Sequence, residues 1–568
     1  MGLLKPGSAL GLLLLMGACS SDDTTPVAPG AVAPDDSDST TPGAPVDALN
    51  SLYAPERVLE IEVELAAADW ELLRNEGRSL FEVFLGQRPD FEFTEVIGAA
   101  SVDGTHHDDV VVRKKGFLGS LSRTRPSLKL DFGDAGSAAR GFERLTLNNN
   151  RQDGSHARQC LAYAAFARAG LPAPRCNLAH VVVNGEELGT FTNVEPVRKP
   201  LLRRHFSDDE GNLYEGQTVD FSTSEAAGLE SKTNEATNDR SDVERLVSAL
   251  QLNDAELESG LGAVLDIDQF RDFWAMETLL GHWDGYAGNQ NNYYVYSDPA
   301  SGLFNFIPWG TDGSFSATNV GDPQNSSPTV YARGLIANRL YNLPDQRARF
   351  RERLAELVDR VWNEAGLVDE LAAITERSAY TYAPATDSLR QFLETHGDSV
   401  RSALELAAPE WIDAPALPSP CFGQAQDISF EFATSYGDLA ALAPGSGSFD
   451  VAFSPDGVPF EGTGFSQAGV DPMGSDASVI VRALAFRLDG SGVFLQVSLP
   501  PGEFTPGTRS LYALESSGVL VALDGAAQRF VGFISDGNLT FDQASSERGA
   551  PVSGRVNARL LQLGCAEL

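Results

Sequence analysis

His282-Trp283-Asp284-Gly285-Tyr286-Ala287-Gly288-Asn289 is the stretch that decides how this chain is read. Its fixed points are a histidine, an aspartate two residues later and an asparagine five residues after that. A carboxylate so placed can take the proton of an attacking hydroxyl, and an amide oxygen downstream can ligate a cation. The spacing His-x-Asp-x-x-x-x-Asn is one that phosphoryl-transfer loops use. Residues 266–280 come just before, with Phe270, Phe273, Met276 and Leu280 at helical intervals, so a helix is expected to deliver the loop. Asp284 then follows a helix C-terminus, where the dipole disfavours a carboxylate. An acid kept there points to function rather than to helix stability.

Working outward, the chemistry needs a second carboxylate for a metal and cations for phosphates. Asp312-Gly313 follows the apolar run 303–307 and supplies the carboxylate. Upstream, residues 110–115 and 127–132 read as strands joined by a turn holding Gly116 and Gly119, the place for a phosphate-covering loop. Lys129 on the second strand is the candidate phosphate-neutralising cation, and Glu195 the carboxylate that would orient it by an ion pair. Among Asn289, Asn291 and Asn292, the metal-side candidates are Asn289 and Asn292. Arg158 reads as a structural partner of Asp153, and Tyr293, Tyr294 and Tyr296 as core residues. His106-His107-Asp108-Asp109 reads as a polar turn, and the chain has neither a His-Glu-x-x-His zinc motif nor a Walker phosphate loop.

The remaining pattern up to residue 410 is α+β. Residues 58–63 alternate as a strand, 158–169 form a helix stopped by Gly170 and Pro172, and 180–183 with 188–193 form a hairpin around Asn184-Gly185. Residues 293–296 and 303–307 are a further strand pair, and 344–407 are mostly helical. After the proline-rich break 409–420, residues 421–568 show short alternating runs separated by Gly, Ser, Pro and Asp, which predict an all-β sandwich. The expected domains are thus 55–410 and 421–568.

Residues 1–19 have the build of a lipoprotein signal peptide: Lys5, an apolar core over 10–16, the small pair Gly17-Ala18, and Cys19 as the lipidation site. The apolar run is too short to span a bilayer. Residues 20–54 are expected to be a disordered Ser/Pro/Asp linker. The chain is therefore expected to be exported and lipid-anchored at the bacterial cell envelope, with the outer membrane preferred, and attached through the N-terminal lipid only. Its 42 Lys and Arg against 79 Asp and Glu leave a net charge of −37. Such a chain is repelled by phosphate backbones, so nucleic acid is excluded as a default partner. In an oxidising compartment the other four cysteines are expected as Cys160–Cys176 and Cys421–Cys565 disulfides, the second pair bracketing the C-terminal domain.

Collinear segments carry more than any one motif. They are Arg113-Lys114-Lys115-Gly116, Pro126-Ser127-Leu128-Lys129-Leu130-Asp131-Phe132, Leu145-Thr146-Leu147-Asn148-Asn149, Gly170-Leu171-Pro172 and Val183-Asn184-Gly185-Glu186. Then come Gly211-Asn212-Leu213-Tyr214, Trp283-Asp284-Gly285-Tyr286, Asn291-Asn292-Tyr293-Tyr294-Val295-Tyr296 and Phe306-Ile307-Pro308-Trp309. In this order they resemble the CotH family, the spore-coat-protein-H-like atypical protein kinases, over about residues 57–400. The resemblance implies an atypical kinase-like two-lobed fold, ATP with Mg or Mn, and phosphate transfer to Ser or Thr of secreted or surface proteins. Carried over, Asp284 is the catalytic aspartate, Lys129 the nucleotide-side lysine and Asp312 a metal ligand.

Two departures bear on activity. Many members read Pro-Trp-Asp-x-Asp where this chain reads Pro308-Trp309-Gly310-Thr311-Asp312, and Phe117-Leu118 stand where members commonly show Arg-Gly-Asn-Ser. If Gly310 marks the essential metal position, the chain is a catalytically inactive kinase-like surface protein for adhesion or envelope assembly. If Asp312 is the essential ligand, activity stands, and the retained Asp-Gly pair favours this. A transferase with a different phosphate donor is the third alternative.

Overall fold

Alternation in the first seven strands separates an apolar interior from a polar face. The computed structural model describes residues 46–84, 91–117, 120–133, 142–316, 327–379, 381–411, 422–437, 439, 448–451, 463–470, 478–487, 489–512, 516–524 and 527–563. Strands β1 (Val58–Glu64), β2 (Glu95–Val102), β3 (Thr105–Lys115), β4 (Ser127–Asp131), β5 (Arg144–Asn148), β6 (Cys176–Val183) and β7 (Glu186–Val194) close into a barrel. The order is β1-β2-β3-β4-β5-β7-β6. Val110, Val112, Leu128, Leu130, Leu145 and Leu147 belong to its core. On β3 to β5 the opposite parity carries Arg113, Lys115, Lys129, Thr146 and Asn148, which therefore lie on the other face. β6 and β7 are the expected hairpin: Asn184 and Gly185 hold φ of 51° and 79°, as a two-residue turn of this hand requires. The expected Cys160–Cys176 disulfide is present and ties the helix Arg158–Arg168 to the start of β6.

Folded structure begins earlier than the stretch 20–54, expected to be a linker, allows. The helix Val46–Leu52 leads into Leu52 and Tyr53, both buried in the barrel core, and Asn177 Nδ2 donates to the Leu52 carbonyl (2.8 Å). A few apolar residues at the end of a polar stretch suffice to fold when a closed barrel supplies the other half of the contact.

Residues 195–198 lead out of the barrel into a mainly helical part. There β8 (Asn212–Gly216), β9 (Glu230–Ser231), β10 (Tyr293–Asp298) and β11 (Leu303–Pro308) form a sheet in the order β11-β10-β8-β9. The helix Ile267–Leu279 starts at Asp266, whose side chain accepts from the Gln269 N–H (3.0 Å), a standard N-cap. It packs on the helix Pro344–Val361, with Trp274 stacked on Phe350 at 3.7 Å between ring centroids. Tyr293 and Tyr296 are buried as expected.

The C-terminal region is all-β, but among the described residues nine strands form one antiparallel sheet rather than the two facing sheets of a sandwich. A bridge between Tyr436 and Ala468 brings the two ends of the strand order together. Phe430, Ala468, Val481, Leu495, Ile534 and Val556 share one core, so the sheet curls around it. Alternating runs between turns read the same whether consecutive hairpins split into two layers or bend into one. The outward side of this sheet is apolar at Val519, Phe533 and Leu561, which form a buried cluster with Leu80 and Phe81 of the helix Leu80–Phe84. Tyr512 donates to Glu82 Oε2 (3.0 Å), and the Arg559 guanidinium lies 4.6 Å over the Phe81 ring. Cys19, Gly119, Cys421 and Cys565 lie outside the described residues. No helix among the described residues is long and apolar enough to cross a membrane.

Candidate active site

The helix Ile267–Leu279 ends five residues before Asp284, and Gly281 turns the chain at φ 56°. Asp284 therefore precedes the short helix Tyr286–Asn289 instead of following a helix C-terminus, and the expected dipole penalty does not arise. Its side chain is buried (2% exposed) and held by three amides. Asn289 Nδ2 (2.8 Å) and Asn291 Nδ2 (3.2 Å) donate to Oδ1, and Asn292 Nδ2 donates to Oδ2 (2.8 Å). The oxygen of Asn291 is taken by the Thr218 N–H (3.0 Å), which leaves Asn289 and Asn292 as the residues able to offer an amide oxygen to a cation.

Asp312 sits on the single turn Thr311–Gly313 that follows β11. It is 7% exposed, and its Oδ1 has no hydrogen-bond partner among the described residues. The two aspartates are neighbours: a Cβ at Gly313 would lie 3.4 Å from the Asp284 Cβ and 3.2 Å from Trp283 Nε1, and the Asp312 charge acts on Asp284. Burial pushes the Asp284 carboxyl up to about 7, and the Asp312 charge adds to this against the pull of the asparagines. Burial likewise raises Asp312 to about 7, against the opposing charges of Lys115 and Arg158. Asp312, with its unpartnered Oδ1, and the side-chain oxygens of Asn289 and Asn292 are hard-oxygen donors of the kind that Mg or Mn takes. No group of three or more His, Cys, Asp or Glu converges among the described residues. A cation here would take its remaining ligands from phosphates and water, as Mg commonly does.

Gly310 has a structural explanation of its own. Its φ is 51°, and a Cβ would fall 2.4 Å from Asn292 Oδ1 and 2.6 Å from Asn292 Cγ. A side chain at 310 and the Asn292–Asp284 contact are thus mutually exclusive in this arrangement.

The cations are arranged differently from expectation. Lys115, which the motif reading passed over, is 2% exposed and donates from Nζ to Asn148 Oδ1 (2.5 Å). Its ammonium lies 5.9 Å from the Trp309 ring centre, and its charge acts on Asp312. Lys129 lies directly across from Arg113 in the β3–β4 register. It lines a cavity of about 300 Å³ with Arg113, Thr146, Val197, Lys232 and Trp309. Burial, then Arg113, Lys115 and Lys232, hold its pKa well below the usual lysine value. Tyr294 is buried as expected, in the cluster with Tyr296, Ile307 and Trp309, and it also lines this cavity. Glu195 does not orient Lys129. It accepts from the Arg175 backbone N–H (3.0 Å) and Nε (3.1 Å) and pairs with Arg204 of the helix Lys199–His205. β7 ends at Val194, so strand parity no longer governs where the next side chain goes.

Arg158 pairs with Asp153 (3.6 Å) as expected, but it also donates to the carbonyls of Ser314 and Phe315, pinning the segment after Asp312. Gly116 has φ 122°, and a Cβ there would meet Ser120 Oγ at 2.5 Å, so the turn after β3 depends on glycine. His106 lies on β3 instead of in a turn, paired with Asp108 (3.2 Å) at the surface.

Residues 112–407 match the family model described as CotH kinase protein, 296 of the chain's 568 residues. Among curated proteins, Invasin CotH2 of Rhizopus delemar is 31% identical over 121 residues, 20% of this chain and 20% of that relative. Inner spore coat protein H of Bacillus subtilis is 25% identical over 187 residues, 31% of this chain and 51% of the relative. The chain thus spans from a fifth to about half of these relatives' length. Among solved structures, the proinflammatory kinase CtkA of Helicobacter pylori aligns over 50% of this chain and 93% of its own, at 11% identity and a TM-score of 0.27. The family match spans more than half of the sequence and contains Lys115, Lys129, Asp284, Asp312 and the three asparagines, and the chain accordingly belongs to the CotH kinase protein family.

Proposed function

We propose that this chain is a metal-dependent protein kinase of the atypical, two-lobed kind, with the barrel as one lobe and the helical part as the other. It transfers the terminal phosphate of ATP to Ser or Thr of secreted or surface proteins. Export and lipid anchoring at the cell envelope through Cys19 complete the proposal. The observation that carries it is the pairing of Asp284, clamped by three asparagines, with a buried Asp312 whose Oδ1 lacks a partner.

The residues divide the work. Asp284 orients the acceptor hydroxyl and takes its proton, and a carboxyl titrating at about 7 is matched to that task at neutral pH. The asparagines hold both its oxygens, so little reorientation is needed during reaction. Asp312, Asn289 and Asn292 would hold Mg or Mn, which when bound neutralises charge on the transferring phosphate. Lys115 faces the same place from the barrel side, and the cavity around Lys129, Arg113 and Lys232 is the place for the nucleotide. The bond between the γ-phosphorus and the bridging oxygen breaks, a new bond forms to the acceptor oxygen, and ADP leaves.

The rival account, an inactive kinase-like protein for adhesion or envelope assembly, rests on Gly310, and the Asn292 contact supports a different reason for that glycine. The test is transfer of label from γ-labelled ATP with Mn by the full chain. Wild type is expected to incorporate label, and Asp284→Ala to lose it by about 10³-fold or more. Equal incorporation by both proteins removes the catalytic claim.

A further inference from the structure

One side chain, away from the proposed reacting atoms, closes from behind the loop that carries Asp284. Glu277 lies in the last turn of the helix Ile267–Leu279 and is 0% exposed. Its backbone carbonyl accepts from the His282 N–H (2.9 Å). Its carboxylate spans the loop: Oε1 accepts from the Tyr286 N–H (2.9 Å) and Oε2 from the Ala287 N–H (2.8 Å). One residue thus fastens both ends of the segment 282–287, with Asp284 between them. Gly285 is part of the arrangement, because a Cβ there would lie 2.1 Å from Glu277 Oε1 and 2.7 Å from His282 Cδ2.

The two amides belong to the first turn of the helix Tyr286–Asn289, where backbone donors have no partner within the helix. Four residues are too few to hold a helix by its own hydrogen bonds. This helix carries Asn289, whose amide grips Asp284 Oδ1 at 2.8 Å. Tyr286 is anchored at its other end as well, donating to Asp220 Oδ1 (3.0 Å) and accepting from the Ile336 N–H (2.9 Å). A shift at Glu277 is therefore transmitted to Asp284 instead of being absorbed by slack.

We infer that Glu277 is a positioning residue for phosphoryl transfer, fixing through the Tyr286 and Ala287 amides the short helix that aims Asn289, and hence Asp284, at the acceptor. The inference rests on the phosphotransfer reading of the site. Both oxygens accept, one from each N–H; burial pushes the carboxyl up to about 8, and the Ala287 and Tyr286 amides oppose that rise by favouring the ionised form. Glutamine has the same shape but offers one acceptor and one donor, so one backbone N–H would face an NH2 group.

The test uses the full chain with Glu277→Gln and, as a second variant, Glu277→Asp, whose carboxylate is retained on a shorter arm. Two quantities are read: steady-state transfer of label from Mn-ATP, and amide hydrogen exchange at residues 286 and 287. Glu277→Gln is expected to lower kcat about 10²-fold, the scale of a misplaced catalytic group, with KM for ATP changed by no more than about threefold. Exchange at 286 and 287 should quicken while barrel peptides stay as in wild type, and Glu277→Asp should fall between the two. A purely structural role would lower the folded fraction and leave kcat per folded molecule unchanged. Wild-type kcat in folded Glu277→Gln, or unaltered exchange at 286 and 287, overturns the inference. A wild-type chain that transfers no phosphate sinks the phosphotransfer reading and the catalytic half of this inference with it, and quickened exchange would then leave Glu277 as a structural clamp.

Discussion

Replacing Gly310 by aspartate supplies the acidic pattern that the family resemblance implies, and the geometry says that it will damage this chain. Two costs add. A non-glycine residue held at φ 51° costs about 1 kcal/mol. The new Cβ would sit 2.4 Å from Asn292 Oδ1, so Asn292 must move, giving up its bonds to Asp284 Oδ2 (2.8 Å) and to the Asp284 carbonyl (3.2 Å). A hydrogen bond to a charged group is worth about 2 kcal/mol, so Gly310→Asp should lose about 3 kcal/mol in all. Thermal unfolding followed by circular dichroism should show a fall of several degrees. Gly310→Ala should fall nearly as far, since the backbone and contact terms do not need the carboxylate. Mn affinity, measured by electron paramagnetic resonance, should weaken in Gly310→Asp because Asn292, whose oxygen would face the cation, is displaced. If Gly310 is instead an abandoned ligand position, the new carboxylate will tighten Mn binding and leave stability unchanged, and that result would refute the reasoning.

Other substitutions probe separate parts of the account. Asp312 titrates at about 7 in the folded chain against 3.8 unfolded, so its contribution to stability is complete below about 3.8 and is lost as pH rises through about 7. Metal-free Asp312→Asn should therefore be more stable than wild type at pH 8, by up to about 4 kcal/mol, and converge with it near pH 4; parallel melting curves across that range would contradict the assignment. Lys115→Ala should lower kcat/KM for ATP by about 10²-fold and more than Lys129→Ala does, because Lys115 is the lysine whose charge reaches Asp312; the reverse order in the same kinetic assay would return the main role to Lys129. Phe81→Ala should cost about 3 kcal/mol and quicken hydrogen exchange on both sides of the cluster with Val519, Phe533 and Leu561. Unchanged exchange in the β region would show that the two parts are not coupled there.

Much of the site was legible because it is local in sequence. The loop 282–289 and the pair Asp312-Gly313 announce themselves by spacing, and the barrel strands by alternation and by Asn184-Gly185. What escaped depends on contacts through space. Lys115 stands one step before Gly116 and shares parity with Arg113, so the face it occupies could have been read, but its approach to Asp312 could not. Glu195 looked like a partner for Lys129 on family analogy, while the real partners, Arg175 and Arg204, come from the approach to β6 and from a later helix. Gly310 read as a lost ligand because its clash partner, Asn292, lies across the site. The sandwich became a single curled sheet because strand runs record period and not layering. Glu277 gave no motif signal, since a glutamate within an apolar helix acquires its meaning only when Tyr286 and Ala287 fold back onto it.

The most direct test of the central claim is crystallographic. Crystals of the full chain grown with Mn and a non-hydrolysable ATP analogue, measured at the manganese edge, should show an anomalous peak against Asp312 and the Asn289 and Asn292 oxygens, with the analogue's phosphates on the Lys115 side and Asp284 facing the terminal phosphate. A peak elsewhere, or nucleotide bound with Asp312 out of ligand distance of the ion, would contradict the account.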